Sequence, residues 1–195
     1  WQTNSAVQYS HWYFESNRPA NVNLLSSQFG PAVPTDSKSS TTLAFSSANT
    51  NQLTVDNCTF TDDLPLEILP TNNANLQFTL SNAYFTNFAV GVSVDATNAV
   101  LKVLMSKNVF FAGTTAIQLR RPQVILFGNC TFDSVDRAID VTVDTNLNQF
   151  NLRDLHFALR ETSPSTTQFM LLASGLQPDT PLKFLGNWTL KTGVL

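Results

Sequence analysis

Acidic and basic side chains that could do chemistry concentrate between residues 120 and 140. Asp136 and Asp140 lie four residues apart with Arg137 between them, and Arg120 lies one repeat earlier in the chain. Two carboxylates beside one sugar ring can act as general acid and general base on a glycosidic bond. The candidate catalytic residues are therefore Asp136, Asp140, Arg120 and Arg137. The alternative for the same residues is a solvated face with salt bridges.

A second acidic group lies nearer the N-terminus and offers candidate ligand-binding residues. Asp62 and Asp63 form an adjacent pair in a proline-flanked turn, and Glu67 lies in the apolar stretch that follows. The two histidines, His11 and His156, are isolated from other ligand types, so we expect no metal site. The sequence has no glycine-rich phosphate loop and no nucleophile elbow, and we expect no cofactor.

A four-residue motif, Asn-x-x-Phe, recurs along the chain and must position these side chains. The steps between the first residues of successive copies are 25, 26, 21, 25 and 33 residues. The last two copies each keep the phase with a change at one end of the motif. The copies are NCTF at 57–60, NAYF at 82–85, NVFF at 108–111, NCTF at 129–132, DLHF at 154–157 and NWTL at 187–190.

Alternating apolar residues precede each copy of the motif. Leu53 and Val55 precede the first copy, and Ile125 and Phe127 precede the fourth. Alternation with a period of two predicts a strand with one buried face. A second apolar strand follows each copy, and no segment has a helical period. Coils of two or three short strands with polar turns predict a parallel β-solenoid.

The repeat resembles a known family of solenoids. The pattern apolar-x-apolar-x-Asn-x-x-Phe, followed by the pairs Ala116-Ile117 and Ala138-Ile139, resembles the right-handed parallel β-helix of the pectate-lyase-like superfamily over residues 22–190. The resemblance implies an all-β, right-handed parallel β-helix of about six to seven coils. Enzymes of this superfamily place Asp ligands for Ca²⁺ and a basic residue on one outer face. The same fold also carries adhesins and viral spikes, so the resemblance does not define an activity.

The first 21 residues lack the repeat but are rich in aromatic side chains, including Trp1, Tyr9 and Trp12. A solenoid needs a cap over its first coil. We therefore predict an N-terminal aromatic cap over residues 1–21 and β-helix coils over residues 22–195.

The motif predicts two stacked rows inside the solenoid. Because Asn tolerates the left-handed conformation of tight turns, identical amides on successive coils can hydrogen-bond as a ladder. The predicted ladder positions are Asn57, Asn82, Asn108, Asn129, Asp154 and Asn187. The predicted inner aromatic column is Phe60, Phe85, Phe111, Phe132 and Phe157.

Two further expectations follow from this register. Cys58 and Cys130 share one phase three coils apart, or roughly 14 Å, which is too far for a disulfide. We expect both to be free, buried, small apolar side chains. The three Asn-x-Thr sequons begin at Asn57, Asn129 and Asn187. We expect them to be by-products of the inward ladder rather than exposed glycan acceptors.

Composition limits the classes of function. Charged residues make up 13% of the chain and the net charge is −3, with no run of Lys or Arg, so no nucleic-acid partner is expected. No apolar run of 18 residues is present, so no membrane span is expected. Low charge with abundant Ser, Thr, Asn and Gln is typical of extracellular and cell-surface repeat proteins.

These features lead to a hypothesis of a non-enzymatic, extracellular structural or adhesive β-helix segment of a surface protein or fibre. Its expected partner is a polysaccharide or a host surface glycan or protein. One alternative is a tailspike-like module that binds or degrades polysaccharide, as a lyase or glycoside hydrolase, in a groove between loops 32–42 and 160–168. A second alternative is a filament subunit that associates end to end through residues 1–21 and the last coil.

Overall fold

A computed structural model describes residues 12–16, 20–29, 41–47, 50–61, 64–70, 74–96, 99–143, 147–159 and 168–191. These described residues form nineteen β-strands and no helix. In chain order the strands are β1 (Trp12–Ser16), β2 (Ala20–Leu25), β3 (Gln28–Phe29), β4 (Thr41–Ser47), β5 (Thr50–Asp56), β6 (Thr59–Thr61), β7 (Leu64–Pro70), β8 (Asn75–Ser81), β9 (Tyr84–Thr86), β10 (Val90–Asp95), β11 (Val100–Ser106), β12 (Val109–Arg120), β13 (Val124–Gly128), β14 (Thr131–Thr142), β15 (Gln149–Arg153), β16 (His156–Leu159), β17 (Phe169–Ser174), β18 (Leu182–Leu185) and β19 (Thr189–Lys191).

The strands stack as a parallel β-solenoid. One sheet has seven strands in the order β18-β15-β13-β11-β8-β5-β2, and every pair in it is parallel. The other sheet has twelve strands. The first residues of its long strands β12 and β14 pair with the short strands β9 and β16, and their later residues pair with β10 and β17. The predicted all-β parallel solenoid is confirmed.

The alternating pattern of the sequence explains this stacking. In β8 the side chains of Leu76, Phe78 and Leu80 are fully buried, whereas Gln77 and Thr79 lie between them on the outer face. Because β8 pairs in register with both β5 and β11, buried residues stack on buried residues from coil to coil. The apolar core is therefore one continuous column along the solenoid.

Stacked phenylalanines form an aromatic column inside this core. Successive rings have centroids 4.7 to 5.3 Å apart and are nearly parallel, with interplanar angles of 6 to 12°. Trp188 extends the column at 5.9 Å from Phe157. The members are Phe29, Phe60, Phe85, Phe110, Phe132 and Phe157.

The assignment of Phe111 to this column is wrong. Phe110 is fully buried and pairs with Phe85 and Phe132, whereas Phe111 is 39% exposed. In this coil the turn residue comes one position earlier than the motif suggests. Lys107 has the positive φ of 56° that Asn57 and Asn82 have in their coils. Asn108 is therefore shifted into the inward position after the turn.

The predicted inward ladder of Asn side chains is also wrong. Asn57, Asn82 and Asn129 have φ near 50° and are exposed at the turns, because the left-handed conformation directs their side chains to solvent. Asp154 is half-buried and Asn187 is exposed. Asn108 is the one predicted ladder residue that is buried.

Part of the segment predicted as a cap is a strand of the solenoid. Residues 12–16 form β1, which pairs in parallel with β4, and residues 20–25 form β2, which pairs with β5. The described coils therefore begin at residue 12. Residues 1–11 lie outside the described part of the chain. Among the residues that the structure describes, no helix is long and apolar enough to cross a membrane.

Candidate functional surfaces

Strand pairing places several candidate residues on the outer face of the twelve-stranded sheet. Glu67 on β7, Ser93 on β10, Gln118 on β12 and Asp140 on β14 occupy one row across four neighbouring strands. Glu67 and Asp140 are thus three strand spacings apart, or roughly 14 Å. The predicted ligand-binding residue Glu67 and the predicted catalytic residue Asp140 share a row without being in contact.

Arg120 and Asp140 lie on adjacent strands of the same sheet. Register pairs Gln118 with Asp140 and Arg120 with Thr142, so Arg120 and Asp140 are diagonal neighbours on adjacent strands. Diagonal neighbours lie about 7–8 Å apart, a backbone separation that long side chains can span. Each side chain instead bonds to its direct neighbour. Gln118 Nε2 donates to Asp140 Oδ2 at 3.5 Å, and Arg120 Nη1 donates to Thr142 Oγ1.

Two other guanidinium groups on this face are also paired within the chain. Arg121 lies 3.7 Å from the Asp95 carboxylate, with both side chains partly exposed. Arg137 lies over the ring of Phe169, with its Cζ 5.7 Å from the ring centroid. Such an arrangement is a cation–π contact. The predicted catalytic residue Arg137 therefore packs on an aromatic ring of the next coil.

Asp136 does not join Asp140 to form a carboxylate pair. Its side chain is 5% exposed, and its Oδ1 atom has no hydrogen-bond partner. Four residues of extended strand place the two Cα atoms about 13 Å apart. Glycosidases of either stereochemistry bring their two carboxyl groups to roughly 5–9.5 Å across an open cleft, whereas here one carboxylate is buried and the other is half-buried. Asp62 and Asp63 lie outside the described residues.

His, Cys, Asp and Glu side chains do not converge into a metal-binding group of three or more anywhere in the described part of the chain. His156 lies on the exposed side of β16, where its Nδ1 contacts Thr189 Oγ1 of the next coil. Its partner is thus a hydroxyl group within the same sheet.

The outer face of the seven-stranded sheet presents a different chemistry. Its first three coils carry two rows of exposed or half-buried residues, all of which bear an amide or a hydroxyl. We call this set the amide–hydroxyl patch. It consists of Asn21, Gln52 and Gln77 in one row and Asn23, Thr54 and Thr79 in the other.

The patch continues into an apolar centre on the next coils. Thr79 pairs with Leu104, Leu104 with Leu126, and Leu126 with Asn151, and all four are half-buried. Amides offer both donors and acceptors, and hydroxyls offer both as well. The other row continues from Gln77 to the exposed Lys102, which lies beside the leucines. The uncharged amides and hydroxyls of the patch can hydrogen-bond a neutral hydroxyl-rich polymer while the leucines contact its apolar faces.

The turns that follow the seven-stranded sheet form a polar edge. Ser81 Oγ donates to Asp56 Oδ1 at 2.6 Å and Asn82 Nδ2 donates to the same oxygen at 2.8 Å. The hydrogen bond from Ser81, followed by the one from Asn82, holds the pKa of the Asp56 carboxyl below its ordinary value. At Asp154, the hydrogen bond from the Asn187 backbone N–H has the same effect on the pKa.

The sequons lie on this edge, which overturns the expectation that they are buried. Asn57, Asn129 and Asn187 are all exposed. The residues that follow the first two, Cys58 and Cys130, point inward and are at most 1% exposed. Outward Asn and inward Cys therefore alternate across each turn. No sequence signal separates this arrangement from an inward Asn, because both fit the same motif.

Both cysteines are free and buried. Burial raises the pKa of the Cys58 thiol, and burial raises the pKa of the Cys130 thiol to about 11. Residues 58, 83, 108 and 130 occupy equivalent positions on successive coils, as the backbone hydrogen bonds and the strand register show. Ala83 and Asn108 therefore lie between the two cysteines. This spacing leaves no direct contact between the two sulfur atoms.

Exposed apolar side chains concentrate in the last described coils. Phe184 is 53% exposed and Leu190 is 52% exposed. Among the described strands, β18 pairs only with β15, and β19 pairs only with β16. The remaining exposed apolar residues of this region are Met170, Leu172, Leu182, Leu185 and Trp188.

Comparisons of the chain with protein-family models, with curated proteins and with solved structures found no match.

Proposed function

We propose that this chain is an extracellular, non-enzymatic β-solenoid segment that adheres to a neutral, hydroxyl-rich polysaccharide. The observation that carries the proposal is the amide–hydroxyl patch, a set of six uncharged hydrogen-bonding residues in register on three stacked coils. Rung spacing places successive members of a row about 4.7–4.9 Å apart. A rigid sheet holds such groups in place before binding, so little conformational entropy is lost on contact.

The core of the solenoid holds the amide–hydroxyl patch in place. Stacked phenylalanines and parallel ladders fix the face from inside, since each outward residue alternates with a buried one. We also propose that the chain is a right-handed β-helix similar to those of the pectate-lyase-like superfamily. It is supported by the motif, whose Asn falls at a turn and whose Phe falls in the column in three coils: those of Phe60, Phe85 and Phe132.

A pull-down with defined polysaccharides tests the proposal. The purified chain is mixed with insoluble cellulose, chitin or β-1,3-glucan, and both the bound fraction and the reducing ends released are measured. We expect retention on at least one of these polymers without release of reducing ends. Loss of retention on all three would contradict adhesion to neutral polysaccharide. Release of reducing ends that disappears with Asp140→Ala would support a hydrolase instead.

A specific observation favours a second candidate, self-association of the chain through its last described coils. Exposed apolar patches of this kind often mark interaction sites. Sedimentation velocity of the wild type should show oligomers that the double variant Phe184→Gln/Leu190→Gln converts to monomer. Leu69→Gln, at another exposed apolar residue, is the matched control. A monomeric wild type would exclude this candidate.

A further inference from the structure

We propose that Asn57, Asn129 and Asn187 are N-glycan acceptors that place a row of glycans along one edge of the solenoid. The inference rests on the extracellular location in the proposed function, because the modification occurs in a secretory pathway. It does not rest on adhesion. Each residue begins an Asn-x-Thr sequon, and no other such sequon occurs in the chain.

The geometry of the turn makes the first two sequons accessible. Asn57 and Asn129 both have φ of 53°, the left-handed conformation in which Asn is tolerated, and both are exposed. The middle residue of each sequon points into the core, where Cys58 Sγ donates to Asp56 O at 3.3 Å and Cys130 Sγ to Gly128 O at 3.6 Å. A sugar attached to the Asn therefore extends away from the packed interior.

The third sequon lies at an equivalent turn with a different local structure. Gly186 has the positive φ, and Asn187 follows it with its backbone N–H donating to Asp154 Oδ1 at 2.7 Å. The Asn187 side chain is exposed, and so is Thr189. The amide nitrogen that a glycan would modify is thus separate from the N–H that holds the turn.

Existing hydrogen bonds are compatible with the modification. Asn57 Nδ2 donates to Ser26 Oγ at 3.1 Å, and a side-chain amide carries two N–H donors. Glycosylation replaces one of these hydrogens, so the other can still donate to Ser26. The hydrogen bond to Ser26 is therefore compatible with a sugar on Asn57.

The covalent step is a group transfer with a defined donor. The Nδ2 atom attacks the anomeric carbon of a polyprenyl-diphosphate-linked oligosaccharide, held by a membrane-bound oligosaccharyltransferase. The new bond joins Nδ2 to the anomeric carbon, and the bond from that carbon to the diphosphate oxygen breaks. The amide loses one proton, and the polyprenyl diphosphate leaves with the electron pair of the broken bond.

The three acceptors would decorate a single edge. Asn57 and Asn129 belong to turns three coils apart, or roughly 14 Å, and Asn187 lies two coils beyond Asn129, or roughly 10 Å. All three follow the C-terminal ends of strands in the seven-stranded sheet, namely β5, β13 and β18. The row would therefore border the face that carries the amide–hydroxyl patch.

Secretion from a eukaryotic cell line tests the proposal. The chain is expressed behind a secretion signal, and the folded secreted protein is analysed by peptide mass spectrometry before and after enzymatic deglycosylation. We expect all three Asn residues to carry glycan, and each of Thr59→Ala, Thr131→Ala and Thr189→Ala to remove one glycan. A folded, secreted chain without glycan at Asn57 and Asn129 would overturn the proposal.

A matched variant separates the geometry from the sequence motif. Asn82 occupies the equivalent exposed turn of another coil, but Tyr84 stands two positions later where a sequon needs Ser or Thr. Tyr84→Thr supplies one at an exposed position, and we expect a fourth glycan with the far-UV circular dichroism unchanged. A fourth glycan that unfolds the chain would contradict an outward Asn. The adhesion pull-down is to be done with unglycosylated protein made in bacteria. Failure of adhesion is therefore distinguishable from failure of glycosylation.

Discussion

Asn108 and Cys130 are neighbours on adjacent coils inside the solenoid, with Asn108 Nδ2 3.9 Å from Cys130 Sγ. The Asn108 side chain is fully buried and is satisfied by the backbone of the preceding coil. Its Oδ1 accepts from the Ala83 N–H at 3.0 Å, and its Nδ2 donates to Leu80 O at 3.0 Å. The Asn108 side-chain amide thus links its own turn to the turn of the preceding coil by two hydrogen bonds.

Asn108→Ala should destabilise the chain strongly. The substitution leaves the buried Ala83 N–H unpaired, which costs about 1–3 kcal/mol, and it removes the hydrogen bond to the Leu80 carbonyl, which contributes about 0.5–1.5 kcal/mol. We expect a loss of about 2–5 kcal/mol in the free energy of unfolding, measured by urea denaturation. Asn148→Ala, at an exposed Asn, is the control and should change stability by less than about 0.5 kcal/mol. Equal effects would contradict the inward position of Asn108.

Phe110 and Phe111 should differ sharply in their contribution to stability. Phe110→Ala removes a ring from the aromatic column and opens a cavity, at a cost of about 3–5 kcal/mol. Phe111→Ala removes a side chain on the outer face and should cost less than about 1 kcal/mol. Thermal or urea unfolding of the two variants shows which phenylalanine lies in the column. A larger loss of stability with Phe111→Ala would favour the register predicted from the sequence.

The adjacent phenylalanines explain why the sequence predicted the fold but missed this register. The alternation of apolar residues specified the strands, and the motif specified the turns in the coils of Asn57, Asn82 and Asn129. At 108–111 the motif also fits, because Phe111 stands at its aromatic position. The adjacent Phe110 is the residue that lies in the column, and the two cannot be told apart by residue type. The true turn residue, Lys107, adopts the left-handed conformation that residue preferences assign to Asn or Gly.

The candidate site was less predictable than the fold. Sequence spacing placed Arg120 and Asp140 one coil apart, and strand register brings them to adjacent strands of one face. Spacing did not reveal that Asp136 is buried, because the positive φ of 55° at Ser134 and the register shift between Asp133 and Val135 interrupt the alternation of β14 just before it. The amide–hydroxyl patch depends on which residues stack between coils, and that register emerges only when all the turns are placed.

Stability of the Asp56 turn should depend on pH. The folded-state pKa of Asp56 is below its unfolded value, so its contribution is complete above the ordinary carboxyl pKa and is lost as the pH falls through the folded value. Ser81→Ala removes the main cause of this shift. Its destabilisation, measured by urea unfolding, should be largest at neutral pH and should shrink on acidification. Ser106→Ala, at the matching position of the next coil, should show a pH-independent effect.

Native thiols should react slowly. Cys58 and Cys130 are at most 1% exposed, and burial raises both thiol pKa values, so little thiolate is present at neutral pH. A chromogenic disulfide reagent should label both within the mixing time in denaturant but only slowly in the native state. Ser106→Cys adds an exposed thiol as a positive control. Rapid native labelling of Cys58 and Cys130 would contradict their burial.

The most direct test of the central claim compares two faces of the same solenoid in one polysaccharide-binding measurement. Gln77→Ala/Thr79→Ala removes an amide and a hydroxyl from the amide–hydroxyl patch, and Ser93→Ala/Gln118→Ala removes the same groups from the outer face of the twelve-stranded sheet. Isotherms are recorded on the insoluble polysaccharide that retains the wild type. The patch variant should bind at least about fivefold more weakly, equivalent to about 1 kcal/mol, and the control should bind like the wild type. Unchanged binding of the patch variant, or equal loss in both, would contradict adhesion through this face.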